Sequence, residues 1–403
     1  MSKRLLFYVG LALALVTCFL LFHLLYGYVV AFQGETNDCF FLFGRSFLME
    51  FLDHPAGPLR YAGRFLGQFY HYPWIGAMIV SASIACFGFL FHRVLVKLNP
   101  AAPLAQLLLP CVLLFALHTS TLCQVYDALG VCAACGAFWG YLSLRRKAAR
   151  RAYALAATPV AYLLLGAYAW FFVAWVAMFE WLDSPPRSGL VFKIGYLLYS
   201  IAVPLVAWRW VFLMSLKGAV LCPVMLHPPY RTGSAHHSSA YFAVDCCLAV
   251  VLALMLVVMP FWTRLFSGMR LASFWQVKSD GRSRVMLAAA IVVLAILLHW
   301  LRYDAPLATY VRCHRFYKAR QWDALLEAAK ENPYGDVRVQ FMTNFALQHR
   351  GKLLDEMFRY PQMWGTRGLV LNYSSKPGVA PPEDDTDKGM LNSDLFFEMG
   401  HVN

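Results

Sequence analysis

The residues with the clearest chemical potential are two carboxylates that follow the first long apolar segment. Glu35 and Asp38 lie in the stretch GETND, directly after that segment. A carboxylate at a membrane surface can accept a proton from a hydroxyl group or hold a divalent cation against a phosphate. We therefore predict Glu35 and Asp38 as catalytic residues. The alternative is that Asp38, Thr36 or Asn37 caps a helix.

A group of cationic and polar side chains follows in the same inter-segment region. Arg60 and Arg64 are four residues apart, which places them on one helix face, and Gln68 and His71 follow them. Arginine binds phosphate through two parallel hydrogen bonds. These four residues, with Arg231 from a later segment predicted on the same side, are candidates for substrate binding. The alternative for the arginines is snorkelling to the membrane surface or pairing with nearby carboxylates.

Acidic residues at the margins of apolar segments form the third group. Asp127 and Asp245 are predicted at the same depth as Glu35 and Asp38, and ionisable residues inside a membrane are often functional. We therefore add both to the substrate-binding candidates, although a charge near the membrane surface is inexpensive and needs no function. The histidine and cysteine spacing fits no zinc motif, so no metal ligand is predicted. A divalent cation at the carboxylates is the candidate cofactor.

The elements that would position these residues are membrane helices. The 403 residues are 60% hydrophobic and only 14% charged, whereas soluble domains are about one quarter charged. We predict an all-α, polytopic transmembrane bundle. The candidate spans are 5–32, 74–96, 103–120, 126–144, 152–182, 190–207, 241–262 and 284–302.

The net charge of +13 lies in the first three quarters of the chain, at the flanks of the apolar segments. It indicates membrane topology and contact with anionic lipid, and gives no reason to invoke nucleic acid. Segment 152–182 is too long for one upright crossing. If the segment forms a hairpin, more arginine and lysine residues lie on the cytoplasmic side than if it forms one long tilted helix. We therefore predict about nine spans, a cytoplasmic N-terminus and an exported tail.

Two domains follow from this topology: a transmembrane domain over 1–303 and a soluble helical region over 304–403. In the first outer loop, 40–52 and 59–72 are predicted as short helices at the membrane interface. In the tail, 315–333 and 336–352 are predicted as helices, because each has an amphipathic pattern and a breaker at its end.

The helical pair in the tail resembles one tetratricopeptide-type repeat, which normally stacks on neighbouring repeats. A polar loop over 374–389 and the start of another helix in NSDLFFEMGHVN follow. Because that helix lacks a partner, we expect a longer natural chain or a partner protein that supplies the missing face.

Several stretches resemble a family of polytopic membrane proteins from Bacteroidota. The matching patterns are GETNDCFFLFGRSFL, PAGPLRYAGRFLGQFYHYPWIGA, YKARQWDALLEAAKENP and SDLFFEMGHVN. This resemblance implies an inner-membrane location and a tetratricopeptide-like periplasmic tail, and it implies no activity. The first outer loop also resembles that of GT-C glycosyltransferases, which transfer sugars from polyprenyl-phosphate donors. Glu35 and Asp38 would be its acidic motif, but they are not adjacent as in those enzymes.

Three functions are compatible with these patterns. The first is an enzyme that transfers a sugar or related group from a polyprenyl-phosphate-linked donor at the periplasmic face. The second is a non-catalytic envelope scaffold whose tail recruits a partner protein. The third is a transporter or flippase that uses Asp127 and Asp245, although the sequence halves do not resemble each other as transporter repeats do.

Overall fold

The computed structural model describes residues 3–35, 41–99, 104–183, 189–223, 239–265, 293–294, 296–330, 336–371 and 385–399. The described residues form helices and turns and no strand, which confirms the predicted all-α class. The chain divides into two compact units. The first contains residues 1–230 and 243–302, and the second contains residues 231–242 and 303–403.

The first unit is a bundle in which α5 packs against α1, α6 and α7, and α7 packs against α8 and α9. Its helices are α1 (Lys3–Leu25), α2 (Gly27–Glu35), α3 (Arg45–Leu52), α4 (Gly57–Gly67), α5 (Pro73–Leu98), α6 (Leu104–His118), α7 (Val125–Ser143), α8 (Lys147–Leu165), α9 (Ala169–Asp183), α10 (Leu190–Trp210), α11 (Leu216–Leu221), α12 (Ser239–Val258), α13 (Trp262–Leu265) and α14 (296–302).

Many of these helices are apolar enough to cross a bilayer. Within the described residues, five segments meet the length and composition of a span, and a sixth does so if α1 and α2 count as one broken span. The five are Pro73–Leu98, Val125–Ser143, Lys147–Asp183, Leu190–Trp210 and Ala243–Phe261. Their agreement with the predicted segments confirms a helical membrane protein.

The first predicted span, 5–32, is wrong as a single helix. The chain bends by 72° between α1 and α2, where Gly27 follows Tyr26 and is a poor helix former. The Tyr26 hydroxyl bonds Nδ1 of His299 at 2.8 Å. The bend directs α2 against residues 70–71, and Gly34 fits there because a Cβ would lie 2.7 Å from the Tyr70 carbonyl.

The long segment that begins at Lys147 is a hairpin, as predicted. Helices α8 and α9 are joined by a 3-10 turn at Gly166–Tyr168, where Gly166 has a φ of 57°. Arg151 near the start of α8 pairs with Glu180 near the end of α9 at 3.1 Å. In one straight helix those residues would be about 43 Å apart, so the contact requires antiparallel packing.

The segment between α2 and α5 contains two short helices, within the ranges where the sequence predicts helices. They are α3 and α4, and a 3-10 turn at Gln68–His71 leads from α4 into α5. Helix α4 buries Leu59 and Gly63, and Gly63 contacts the Tyr126 side chain of α7 so closely that a Cβ would clash. On the other side of α4, Phe41 packs edge-on against Tyr61 and Phe65.

The second unit contains α15 (Ala305–Lys318), α16 (Trp322–Lys330), α17 (Val337–His349), α18 (Leu353–Glu356) and α19 (Asp385–Glu398). The predicted helix 315–333 is wrong, because Arg320 adopts a positive φ of 53° and separates α15 from α16. The predicted helix 336–352 is present as α17 and ends before Gly351, whose φ is 66°.

The turns at Arg320 and Gly351 are equivalent. The amide of Arg320 bonds the Tyr317 carbonyl and that of Gln321 bonds the Phe316 carbonyl; the same two bonds recur 31 residues later. The second unit therefore contains two helix–turn–helix elements of similar design. The predicted loop 374–389 lies mostly outside the described residues, but its end already belongs to α19, so the last helix begins earlier than predicted.

The α8–α9 turn gives a stability prediction. Replacing Gly166 with alanine should destabilise the first unit by about 1–3 kcal/mol, because a Cβ would clash with the Cys222 carbonyl at an unfavourable φ. Thermal unfolding in detergent measures the change. Gly136→Ala is the matched control, because a Cβ at Gly136 in α7 meets no neighbouring atom. Equal unfolding midpoints for the two variants would contradict the prediction.

Candidate functional site

Most of the predicted site residues lie at one end of the bundle. Asp38 and Arg231 lie outside the described residues. Glu35 is the last residue of α2, and its backbone alone is described. The remaining candidates lie on α4 and the 3-10 turn that follows it, at the start of α7 and near the start of α12.

The end of α2 is held from two sides. The Gln33 side-chain nitrogen donates to the carbonyls of Thr121 and Cys123 at 3.0 and 2.9 Å, in the turn between α6 and α7. The neighbouring Gly34 lies against the backbone of Tyr70 and His71. The backbone of Glu35 is thereby fixed next to the 3-10 turn that carries Gln68 and His71.

Helix α4 carries the predicted arginine pair beside the start of α7. Arg60 and Arg64 are half-buried, and the Arg60 guanidinium lies 5.6 Å from the centre of the Phe51 ring. Because Gly63 between them contacts Tyr126, α4 runs alongside the residue that precedes Asp127. The fold therefore gathers the helix of the arginine pair, the end of α2 and the start of α7.

Asp127 is buried, and both of its carboxylate oxygens have partners. The Gln124 amide donates to Oδ2 at 2.7 Å, which forms a capping box at the start of α7. The Tyr168 hydroxyl donates to Oδ1. These bonds join the start of α7 to the α8–α9 turn, and substrate binding by Asp127 stays a prediction.

Asp245 is fully buried and forms an ion pair with Arg302. The Ser120 hydroxyl donates to Oδ2 of Asp245 at 2.8 Å, and Nε of Arg302 donates to the Thr119 hydroxyl at 3.3 Å. A buried charge persists only when it is paired and hydrogen-bonded. The pair joins α12 and α14 to the α6–α7 turn, the same turn that holds Gln33.

We name the residues of this network the polar end cluster. They share deep burial and at least one hydrogen bond to a neighbouring element or to the α6–α7 turn: Gln33, Thr119, Ser120, Asp127, Asp245 and Arg302. Within the described residues, no three His, Cys, Asp or Glu side chains are grouped to hold a metal ion. A divalent cation would therefore depend on residues such as Asp38 that lie outside the described ranges.

Sequence reasoning identified Asp245 but not its partner. Arg302 was treated as the boundary of the last span, because basic residues usually end spans. The sequence could have indicated this partner, because a buried Asp245 needs a cation. Arg302 is one of the few basic residues beside an apolar segment on that side. Gln33 was missed because a lone glutamine at the end of a span has no distinctive pattern.

The sequence model of a family of unknown function, DUF6057, matches residues 2–403. No curated protein and no solved structure matches the chain. The family match covers both units and names no activity.

The ion pair gives a second prediction. Asp245→Asn should destabilise the first unit by about 3–5 kcal/mol, because the Arg302 guanidinium would lose its buried counter-charge. The double replacement Asp245→Leu with Arg302→Met should be less harmful than Asp245→Asn, since it leaves no unpaired charge. Denaturant unfolding in detergent measures both, and Glu327→Gln in the exposed Lys330–Glu327 pair of the second unit is the control. A double variant that is no more stable than the single one would contradict the prediction.

Proposed function

We propose that this chain, which belongs to the DUF6057 family, is a membrane enzyme that transfers a sugar or related group from a polyprenyl-phosphate-linked donor. The apolar helices make it an integral membrane protein in contact with lipid. The reaction would occur at the end of the first unit where α2, α4 and α7 meet. This resembles the chemistry of GT-C glycosyltransferases, and the family match does not assign it.

The observation that carries the proposal is the double anchoring of the end of α2. Gln33 is bonded to the α6–α7 turn and Gly34 is packed on Tyr70 and His71. Catalytic groups must be held within a fraction of an ångström by their supporting residues. The anchored backbone supports the assignment of a general-base role to Glu35, the residue that follows Gly34.

The surface of α3 and α4 supports an entry route for a lipid substrate. Phe43 is 82% exposed, and Phe65 and Phe69 are exposed beside it. Phe41 packs edge-on against Phe43 and Phe65, and Phe65 packs edge-on against Phe69, so the rings form a continuous aromatic face. Exposed aromatic and apolar side chains on short amphipathic helices are typical of elements that lie in the membrane interface.

In the proposed reaction, Glu35 accepts the proton of the acceptor hydroxyl, and Asp38 shares this role or holds a divalent cation. Arg60 and Arg64 bind the phosphate that leaves with the lipid. Gln68 and His71, from the adjoining turn, and Arg231 are assigned to substrate binding. Asp127 and Asp245 position the surrounding elements through the bonds described above.

The proposed location is a bacterial inner membrane, with the N-terminus in the cytoplasm and the tail in the periplasm. The support is the distribution of charge along the bundle. The ends of α7 and α9 and the start of α8 lie together, as the Arg151–Glu180 pair and the Tyr141–Glu180 hydrogen bond require. The chain between α7 and α8 carries a run of exposed basic residues, and such residues usually stay in the cytoplasm.

A second candidate function is the recruitment of a partner protein by the tail. Leu354 and Phe358 are 89% and 82% exposed. Counted from the equivalent turns at Arg320 and Gly351, they correspond to Asp323 and Glu327, which are exposed in the first helix–turn–helix element. An exposed apolar pair at positions where the sister element has carboxylates is typical of a protein-binding surface.

Replacement of Glu35 tests the enzymatic proposal. Glu35→Ala should lower the consumption of a polyprenyl-phosphate-linked sugar by about 100-fold or more, because general-base catalysis typically contributes that much. Membrane vesicles that contain the protein are supplied with the lipid-linked sugar, and its loss is followed by mass spectrometry. Glu50→Ala, at an exposed position of α3, is the control. Wild-type consumption by Glu35→Ala would remove Glu35 as the base.

Replacement of the exposed apolar pair tests the tail. Leu354→Asp with Phe358→Glu should abolish cross-linking of the tail to a partner in native membranes, because it installs the charges of the sister element. The matched control, Asp323→Asn with Glu327→Gln, alters the equivalent positions and should leave the cross-link intact. The recruitment proposal fails if both double variants give the wild-type cross-linking pattern.

A further inference from the structure

The basic residues at the end of the bundle that contains Glu180 fall into two groups. In the first group the charges are matched. Glu180 accepts from the Tyr141 hydroxyl at 2.8 Å and pairs with Arg151 at 3.1 Å. Asp183 lies 4.0 Å from Arg150 and 3.6 Å from Arg264. These cations therefore have carboxylate partners within the bundle.

The second group consists of Arg93 and Lys97 near the end of α5, and Arg145 and Arg146 in the turn after α7. All four side chains are exposed. Within the described residues, none of these four cations forms an ion pair with a carboxylate. Their contacts are with neutral groups: Arg93 and Lys97 lie over the Trp139 ring, at 5.4 and 5.2 Å from its centre, and Lys97 donates to the Ser143 hydroxyl at 2.5 Å.

These contacts place Arg93 and Lys97 beside the end of α7, directly before Arg145 and Arg146 in the chain. Arg93 and Lys97 are one helical turn apart and share the Trp139 ring. The bond from Lys97 to Ser143 fixes the end of α5 beside the end of α7. Arg145 follows two residues later and Arg146 directly after it, so a single headgroup can reach cations from both segments. We call these four residues the cation cluster.

We propose that the cation cluster binds the phosphate headgroup of an anionic phospholipid. Basic clusters between membrane helices bind such headgroups because several cations share one phosphate charge. Trp139 supplies an aromatic ring of the kind that lies at headgroup level. The site is at the opposite end of the bundle from the polar end cluster, so it is independent of the proposed enzymatic reaction.

The surroundings of the cation cluster favour a lipid over free phosphate. Arg93 lies 5.9 Å from the centre of the Phe89 ring, one turn deeper along α5. Val96, between the two cations on the same helix, is 43% exposed. A ligand that fills this site meets cations at its head and apolar side chains below, which matches a diacyl phospholipid, whereas inorganic phosphate would contact the cations alone.

Native mass spectrometry of the purified full chain tests this site. The protein is stripped of lipid in detergent and titrated with phosphatidylglycerol or with phosphatidylcholine. We expect phosphatidylglycerol to bind about tenfold or more tightly, and the preference to fall in 1 M salt, in which the Debye length is about 3 Å. Equal binding of the two lipids, or a preference unaffected by salt, would overturn the proposal.

A pair of variants with the same change in charge locates the binding. Arg93→Gln, Lys97→Gln, Arg145→Gln and Arg146→Gln together should remove the preference for phosphatidylglycerol. The control replaces four exposed cations of the second unit, Arg315, Arg320, Lys352 and Arg359, by glutamine and should keep it. Loss of the preference in both variants, or in neither, would overturn the assignment to the cation cluster.

Two further measurements separate the remaining outcomes. Inorganic phosphate at millimolar concentration should leave the bound phosphatidylglycerol in place; full displacement would show that the site recognises phosphate alone and would overturn the lipid assignment. If the quadruple variant does not fold, the charge-preserving variant Arg145→Lys with Arg146→Lys replaces it. We expect it to bind phosphatidylglycerol with at least about twofold lower affinity, because lysine cannot bind phosphate bidentately, and unchanged affinity would count against the site.

Discussion

Gln33 donates through one side-chain nitrogen to the carbonyls of Thr121 and Cys123, in the turn that links α6 to α7. Those carbonyls lie in a turn outside the helices, and the residues that carry them are buried within an apolar bundle. An unsatisfied backbone group in that setting costs several kcal/mol. The glutamine therefore stabilises the turn, and in return the turn fixes the end of α2, from which the proposed catalytic carboxylate follows.

The same constraint explains contacts at other helix breaks in the first unit. Pro159 removes the amide that would bond the Leu155 carbonyl inside α8, and the Tyr199 hydroxyl of α10 donates to that carbonyl at 2.9 Å. At the α8–α9 turn, the Ala167 amide donates to the Cys222 carbonyl at 2.9 Å. At these two positions the irregular backbone receives a partner from a different element, so the irregularities also help to determine which helices are neighbours.

How far the sequence predicts the structure depends on whether a local residue carries the signal. Spans such as α5 and α7 were predicted within one or two residues, because uninterrupted apolar runs are unambiguous. The end of α17 was predicted from Gly351, since glycine commonly adopts the left-handed conformation after a helix. The equivalent turn at Arg320 was missed, because an arginine with a positive φ gives no such signal. The bend at Tyr26 was also missed, because the residue that Tyr26 contacts there, His299, is 273 residues away in the sequence.

The Asp245–Arg302 pair shows why charge in this bundle contributes more to position than to stability. Burying two charges costs about as much as their attraction returns, so an apolar pair of similar volume would hold α12 and α14 together equally well. An apolar pair would not select the hydroxyls of Thr119 and Ser120, to which Arg302 and Asp245 bond. The ion pair thereby specifies which face of the α6–α7 turn meets the two helices. Gln33 bonds the carbonyls of that turn. The orientation of the turn therefore also sets the position of the end of α2 and of the proposed catalytic residue beyond it.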